Sequence, residues 1–551
     1  MVWKISAAAA CLAGGLVALC PGQTYFVEAM VGDPLPGGLP GETITFVGSG
    51  YTEQLPPTLG ENEVFYRVST RFPDPNIDGR THLRFGPVGA AQSVFLSGSL
   101  PLPPGVRMNL VDASIRITPD GHLVALGSLM GDGVIFQNNE AFLSRAPDGT
   151  MSVFRKGDQL SGEAPGTTLG GASSVAGLWT GDHRNYRAAP GGAVSVKGYF
   201  GSIINNQPTG RGSLLVVPGG ESSVTARGFF SPTILGTPVE GGTIHEVLSS
   251  PPSVNGRGEQ AFMYTFNPAS GGLGSHIGIA RQGSVQTVFR SGSPISSHPG
   301  LLAYLSMGQV GWNDAGQVAF RGTAYPEGGS SARQAAFLLS DGGLTLLAQS
   351  GDPLPGRHGE VVPASMPSHS APRLAADGSV AFDTGAGIWF KPAGADPRML
   401  FCADSPARPT EIPDLRLLTS TLSINASGQA VAALARPNVS AASALVAYDP
   451  VLGEVLLAAV GRSLELRPGF VRQVSSINFT GVGDGLSSGA GQDGAPVGIN
   501  ARGQIAFGVT FTTGETAIIV ATVPAPTSTA ILLPGVLAAL ARRRNRGTLV
   551  P

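Results

Sequence analysis

A Gly-x-Ser-x-Gly string, GLSSG, stands at residues 485–489. Such a string does nucleophilic chemistry when a strand-to-helix turn lifts its serine clear of the backbone. Here it lies in TGVGDGLSSGAGQDGAP with no helical pattern after it. A chain so rich in Gly and Ser produces on the order of one such match by chance. The overlapping GVGDG lacks the βαβ setting that a dinucleotide requires. Histidines at 82, 122, 183, 245, 276, 298, 358 and 369 stand singly, and no His-x-x-x-His or Cys-x-x-Cys gives a metal-ligand spacing. In TGDHRNY, His183 has Asp182, Arg184 and Tyr186 around it. The loop reads as a solvated polar segment, and otherwise as one wall of a ligand site. Asp33, Asp158 and Asp352 recur at one place in the repeat described below and read as turn carboxylates, bonding amides two residues on. Calcium would need several oxygens from one short loop; Asp484 and Asp493 come nearest to that. Cys402 is the one cysteine outside the N-terminal leader; RMLFCADS reads as a buried strand and its thiol as packing. No catalytic residue, metal ligand or cofactor site is expected.

Composition limits what these residues are built into. The chain has 551 residues, 13% charged, with 79 glycines and 44 prolines. Its 42% hydrophobic content supports a buried core. Low charge with many turn-formers suits short strands better than helices, which draw on Ala, Leu, Glu and Lys together. The net charge is −2, with four lysines. That leaves no basic field for a phosphate backbone, so no nucleic-acid partner is expected.

Two strings recur and divide the chain into like units. NGRGEQAF, NDAGQVAF and NARGQIAF share Asn-x-x-Gly-x-x-Ala-Phe. The residues are Asn255, Gly258, Ala261 and Phe262; Asn313, Gly316, Ala319 and Phe320; and Asn500, Gly503, Ala506 and Phe507. Weaker copies are AADGSVAF (375–382), NASGQAVA (425–432), TPDGHLVA (118–125), APGGAVSV (189–196) and LGENEVFY (59–66). Their turn glycines, from Gly60 to Gly503, step by about 63 residues, in or just above the range of blade and solenoid repeats. Asn first and Gly fourth suit a type I turn, and the segment after it reads as a half-buried strand. A small Ala beside a large Phe lets one neighbouring sheet come close while space toward the other is filled. These residues are assigned to folding.

The second string, GDPLPG, stands at 32–37 and 351–356, with relatives such as SGSPISSHPG and VGRSLELRPG. Its Pro and Gly are expected to stop the ladder after a fourth strand. One unit then reads strand, Asn-x-x-Gly turn, strand, loop, strand, Asp-Gly turn, strand, Pro/Gly link, which is the four-stranded blade of a β-propeller. The chain enters on a fourth strand, TYFVEAMV, and leaves on strands one to three: FVRQVSSINF, GQIAFGVTF and TAIIVATV. A ring joins these incomplete ends, whereas an open stack exposes two edges. The expected fold is all-β: a closed propeller of eight four-stranded blades over 23–522, the N-terminal strand completing the last blade. Seven blades plus an insertion within 38–90, two smaller β domains, and a β-solenoid are the alternatives.

Both ends read as targeting segments. Residues 1–22 have Lys4 before an apolar run, the form of a signal peptide, with Cys20 open to lipidation. In 523–551, Pro524 and Pro526 precede an apolar stretch and then Arg542, Arg543, Arg544 and Arg546. The stretch is shorter than an ordinary spanning helix, and the arginines would hold it at the cytoplasmic side. A simple weak membrane anchor is one reading. The tail also resembles the PEP-CTERM sorting signal of bacterial surface proteins, with Ala525 where that family usually has Glu. The resemblance implies a partner, a sorting transpeptidase of exosortase type, and removal of the tail on export. The paired repeats resemble an exported bacterial tandem-repeat family named for NxxGxxAF, which implies surface display and no reaction.

The leading expectation is an exported, surface- or matrix-associated, non-enzymatic propeller that binds a glycan or a surface protein. An extracellular polysaccharide lyase or hydrolase is the second reading. Its sign would be two carboxylates, or a His with Tyr and Arg, converging at a channel mouth. A structural coat protein is the third.

Overall fold

In the computed structural model the described residues run from 24 to 523, less short stretches of which the longer are 48–56, 75–79, 96–101, 170–185, 203–207, 229–235, 269–273, 367–371 and 480–496. The leader, the tail with Pro524, Pro526, Arg542, Arg543 and Arg544, the GLSSG string, Asp484 and Asp493, and Asp182, His183 and Arg184 lie outside them. No α-helix forms among the described residues. Their strands make eight antiparallel sheets, in chain order the blades of a propeller.

The Asn-x-x-Gly string closes the same hairpin in successive blades. Val254 pairs with Gln260, and the Gly258 amide donates to Asn255 O while Asn255 N donates to Glu259 O. This is a type I turn followed by a left-handed residue, a position Gly258 takes with φ 75°. The strand after the turn is not half-buried as the alternation suggests. Val380–Asp383 and Ala430–Ala435 are buried at every position. The reason is stacking: a blade has a neighbour against each face, so its middle strands are covered on both. Ala and Phe serve those two faces. Phe262 packs with Ile244 of its own blade and Ala226 of the blade before, while Ala261 joins the core shared with Trp312 and Phe320 of the next. Ala506 and Phe507 divide in the same way.

Strand one is split in most blades, and its second half lies at the axis. Ser253–Val254, Gly311–Trp312, Arg373–Leu374 and Ser423–Ile424 touch in series. Ser253 donates to Val310 O, Arg373 Nε to Leu422 O at 3.1 Å, and Gly498 N to Ser423 Oγ at 3.2 Å, each crossing to the next blade. The fourth strands are the outer edges.

Two expectations about the links need correcting. The GDPLPG-type segments do not stop the ladder; they begin another. Gly32 N donates to Ile44 O and Ile44 N to Asp33 O, and Gly351 and Asp352 repeat this with Val362. Pro34, which has no N–H, bridges Thr43 from a position whose ladder bonds its neighbours make. Leu35 and Leu354 then plug the groove between blades, both nearly fully buried. The carboxylates also bond backward: Asp158 and Asp352 accept the amides of Arg155 and Gln349, three residues before, at 2.6 and 2.9 Å, while Asp33 pairs with Arg467.

The first blade is complete, with Thr43–Val47, Thr58–Leu59, Glu63–Arg71, Arg80–Pro87 and Gln92–Phe95, so the seven-blade alternative fails. Its hairpin is one residue shorter than the others. Gly60 takes the place of the motif's Asn, not of its Gly, because Leu59 pairs directly with Val64. The last blade holds Phe470–Phe479, Gln504–Phe511 and Thr516–Thr522, and Thr24–Met30 pairs antiparallel to the last of these, from Thr24 opposite Thr522 to Met30 opposite Ala517. The first and last described strands close the ring.

Candidate functional site

The motif residues are spread round the ring and converge on no single point. Each motif asparagine is a buried clip. Asn500 Oδ1 accepts the amides of Arg502 and Gln504 at 3.1 and 2.9 Å, which fixes its own turn. Its Nδ2 donates to Gly60 O and Glu61 O of the first blade at 3.1 and 3.0 Å. Asn313 reaches Ala375 O, and Asn425 reaches Asn500 O, in the same sense. A partner escaped the sequence reading. The residue after the turn Gly (Glu259, Gln317, Gln429 or Gln504) accepts from the Asn side chain at 2.8–2.9 Å. The signal was visible, since the strong copies and NASGQAVA all carry Glu or Gln there. Tyr186, expected in a polar loop, is core: it is almost wholly buried, and its hydroxyl donates to Val124 O at 3.1 Å. Among the described residues no group of three His, Cys, Asp or Glu could hold a metal ion.

A concave site opens where three separate segments meet at the sixth and seventh blades. The cavity, about 460 Å³, is lined by the link at Pro355–Arg357, by Pro397–Leu400 with Cys402, Asp404 and Ser405, and by Tyr448, Gly453 and Glu454. Its size is that of a small-molecule pocket. Arg398, on the strand Arg398–Leu400, donates to the Tyr448 hydroxyl and lies 5.5 Å from that ring's centroid. Arg357 pairs with Asp404. Glu454 Oε1 accepts the Phe401 amide at 2.6 Å and its Oε2 accepts Ser405 Oγ.

That clamp on Phe401 explains a local departure. The strand expected through RMLFCADS ends at Leu400, and Phe401 turns with φ 56°, the one left-handed non-glycine residue among those described. The turn directs Cys402 into the cavity lining, where it is free and buried. Burial pushes its thiol pKa up, which keeps the sulfur protonated and unreactive at neutral pH. Burial likewise raises the Tyr448 pKa, against the attraction of Arg398. The lining therefore offers two guanidiniums, two carboxylates and neutral hydroxyls: donors and acceptors in balance, without an activated nucleophile.

Fold and cleft together define a closed, eight-bladed propeller with a polar inter-blade pocket. The chain belongs to DUF7453, a family of unknown function, whose model matches residues 216–401 and 414–530. No curated protein matches it. Among solved structures it is similar to a puromycin-hydrolyzing peptidase of Mycobacterium tuberculosis at 14% identity and TM-score 0.32, covering 83% of this chain and 57% of that one. The β-propeller domain of the Trilobed protease from Pyrococcus furiosus matches at 10% identity and TM-score 0.34, covering 75% of this chain and 98% of that one. A Trypanosoma rangeli sialidase in complex with sialic acid matches at 8% identity and TM-score 0.26, with 97% and 64% covered. The chain thus spans little more than half the length of the peptidase. At these scores the likenesses carry no activity or partner to this chain.

Proposed function

We propose that this is an exported, surface-associated propeller that binds a glycan segment in the cleft between its sixth and seventh blades. The observation that carries the binding role is the cleft's lining. A sugar presents hydroxyls that donate and accept at once, and Arg357, Arg398, Asp404, Ser405 and Glu454 offer both kinds of partner around one cavity. The two positive and two negative side chains cancel, which favours an uncharged polyol over a phosphate or a strongly anionic chain. Export rests on the leader pattern, and display on the Pro-x-Pro, apolar and arginine pattern of 523–551, with an exosortase-type transpeptidase as processing partner.

Binding of surface polysaccharide fractions to the purified chain, followed calorimetrically, tests the reading. Saturable binding is expected, weakened about tenfold or more by Arg398→Ala or Glu454→Gln, as befits loss of a charged hydrogen-bonding group. No retention of any fraction, or equal retention by both variants, refutes the cleft as the site. Removal of 524–551 is expected to release the protein from producing cells.

A further inference from the structure

The first blade carries a polar cluster that the cleft does not involve. Its third strand, Arg80–Pro87, reads RTHLRFGP, where the corresponding strands of the last two blades, Ala444–Asp449 and Thr516–Thr522, are mostly apolar. His82 and Arg84 from this strand are nearly fully buried, as are Glu42 at the entry to the first strand and Thr70 on the second. Ser93, on the outer strand Gln92–Phe95, is exposed. The distances form a chain. Thr70 Oγ1 is 2.6 Å from Glu42 Oε1, Glu42 Oε1 is 2.8 Å from His82 Nε2, and His82 Nδ1 is 3.1 Å from Ser93 Oγ. Arg84 donates to Ser93 Oγ at 3.1 Å and to Pro36 O at 3.0 Å.

The direction of each bond follows from what the groups can do. Burial alone would raise the Glu42 pKa, but hydrogen bonds from Thr70, the Leu39 amide and His82 hold it below the ordinary value. An ionised carboxylate only accepts, so His82 Nε2 carries a proton, and in the neutral ring Nδ1 is then the acceptor. The Ser93 hydroxyl then donates to Nδ1, and its lone pair takes the Arg84 N–H. This is the order of a hydroxyl, its base and the group that orients the base. The ring is turned over relative to the serine proteases, where the nucleophile meets Nε2. The chemistry requires one basic nitrogen facing the hydroxyl and one N–H facing the carboxylate, and both conditions are met.

We infer that Ser93 is an activated hydroxyl at the outer edge of the first blade, with His82 as its base and Glu42 as the positioning residue, and that its substrates are acyl esters. In the step, Ser93 Oγ bonds to the ester carbonyl carbon as its proton passes to His82 Nδ1. The carbon–alkoxy bond then breaks, and the departing alcohol takes that proton. Water hydrolyses the acyl-serine by the same route, releasing a carboxylic acid and restoring the hydroxyl. Arg84, donating to Ser93 Oγ at 3.1 Å, holds the hydroxyl beside its base. The inference goes beyond glycan binding and does not depend on the cleft.

A fluorophosphonate probe and p-nitrophenyl acetate, applied to the full chain with peptide mapping of the adduct, test it. The expected result is a stoichiometric adduct on Ser93, absent in Ser93→Ala, with folding of the variant checked by its melting curve. Labelling is expected to slow by about a hundredfold in His82→Gln and about tenfold in Glu42→Gln. Glu42→Asp separates positioning from packing. It keeps the charge on a shorter arm, so it should recover part of the rate, whereas a merely structural role makes it no better than the isosteric Gln. An unlabelled Ser93, an adduct formed as fast in Glu42→Gln as in the parent, or Glu42→Asp no faster than Glu42→Gln overturns the inference.

Discussion

Asn500 makes five hydrogen bonds from one buried amide, two of them to the neighbouring blade, so a residue chosen for its turn also carries an interface. Glu28 is a buried group of the opposite kind. It lies on the closing strand, where burial raises its pKa to about 7 despite the Gly89 amide and the Arg84 charge. The sign of its effect follows from linkage. Below its ordinary value of 4.5 the carboxyl is protonated folded or unfolded, and stability is undiminished. Between 4.5 and about 7 the unfolded chain gives up the proton while the folded one holds it, so stability falls as pH rises. Glu28→Gln keeps an oxygen for the Gly89 amide and removes the charge. It is expected to leave the melting temperature near pH 4 unchanged and to raise stability at pH 8 by on the order of 2–3 kcal/mol. Equal melting of the two proteins at pH 8 contradicts this account of the residue.

At the scale of elements, the links are legible in position and not in conformation. Pro and Gly suggest an end to pairing, yet Gly351 N and Asp352 O bond across to Val362, and Leu354 is buried beneath them. The position shows because GDPLPG recurs; the pairing does not, because it depends on the next blade's first strand lying alongside. Gly351 itself has φ 90° and faces open space where a side chain would stand, so crowding plays no part there. Gly351→Ala is expected to cost about 1–2 kcal/mol from backbone strain alone, measured by urea unfolding. A neutral substitution would mean that the link relaxes freely. The cleft is illegible for a related reason: its walls come from Pro355–Arg357, from Pro397–Leu400 with Cys402, Asp404 and Ser405, and from Tyr448, Gly453 and Glu454, which no spacing rule connects. The serine cluster leaves one trace in the sequence. A third strand reading Arg-Thr-His-Leu-Arg carries three charged or ionisable side chains in five residues, and it falls in the region that matches the repeat least.

For the whole molecule, the account stands on circular closure. Thr24–Met30 supplies the outer strand of a blade whose other main strands lie some five hundred positions away, and Tyr25 fastens it through Leu457 O at 2.8 Å. Register places Thr24 opposite Thr522 across the antiparallel pair, a separation that a disulfide spans. The direct measurement is oxidation of the Thr24→Cys/Thr522→Cys protein, with thiol counting and thermal melting. The ring predicts a quantitative intramolecular disulfide in folded protein and a higher melting temperature, since the cross-link constrains the unfolded chain. Two thiols that stay free and react with a maleimide while the protein remains folded would contradict it.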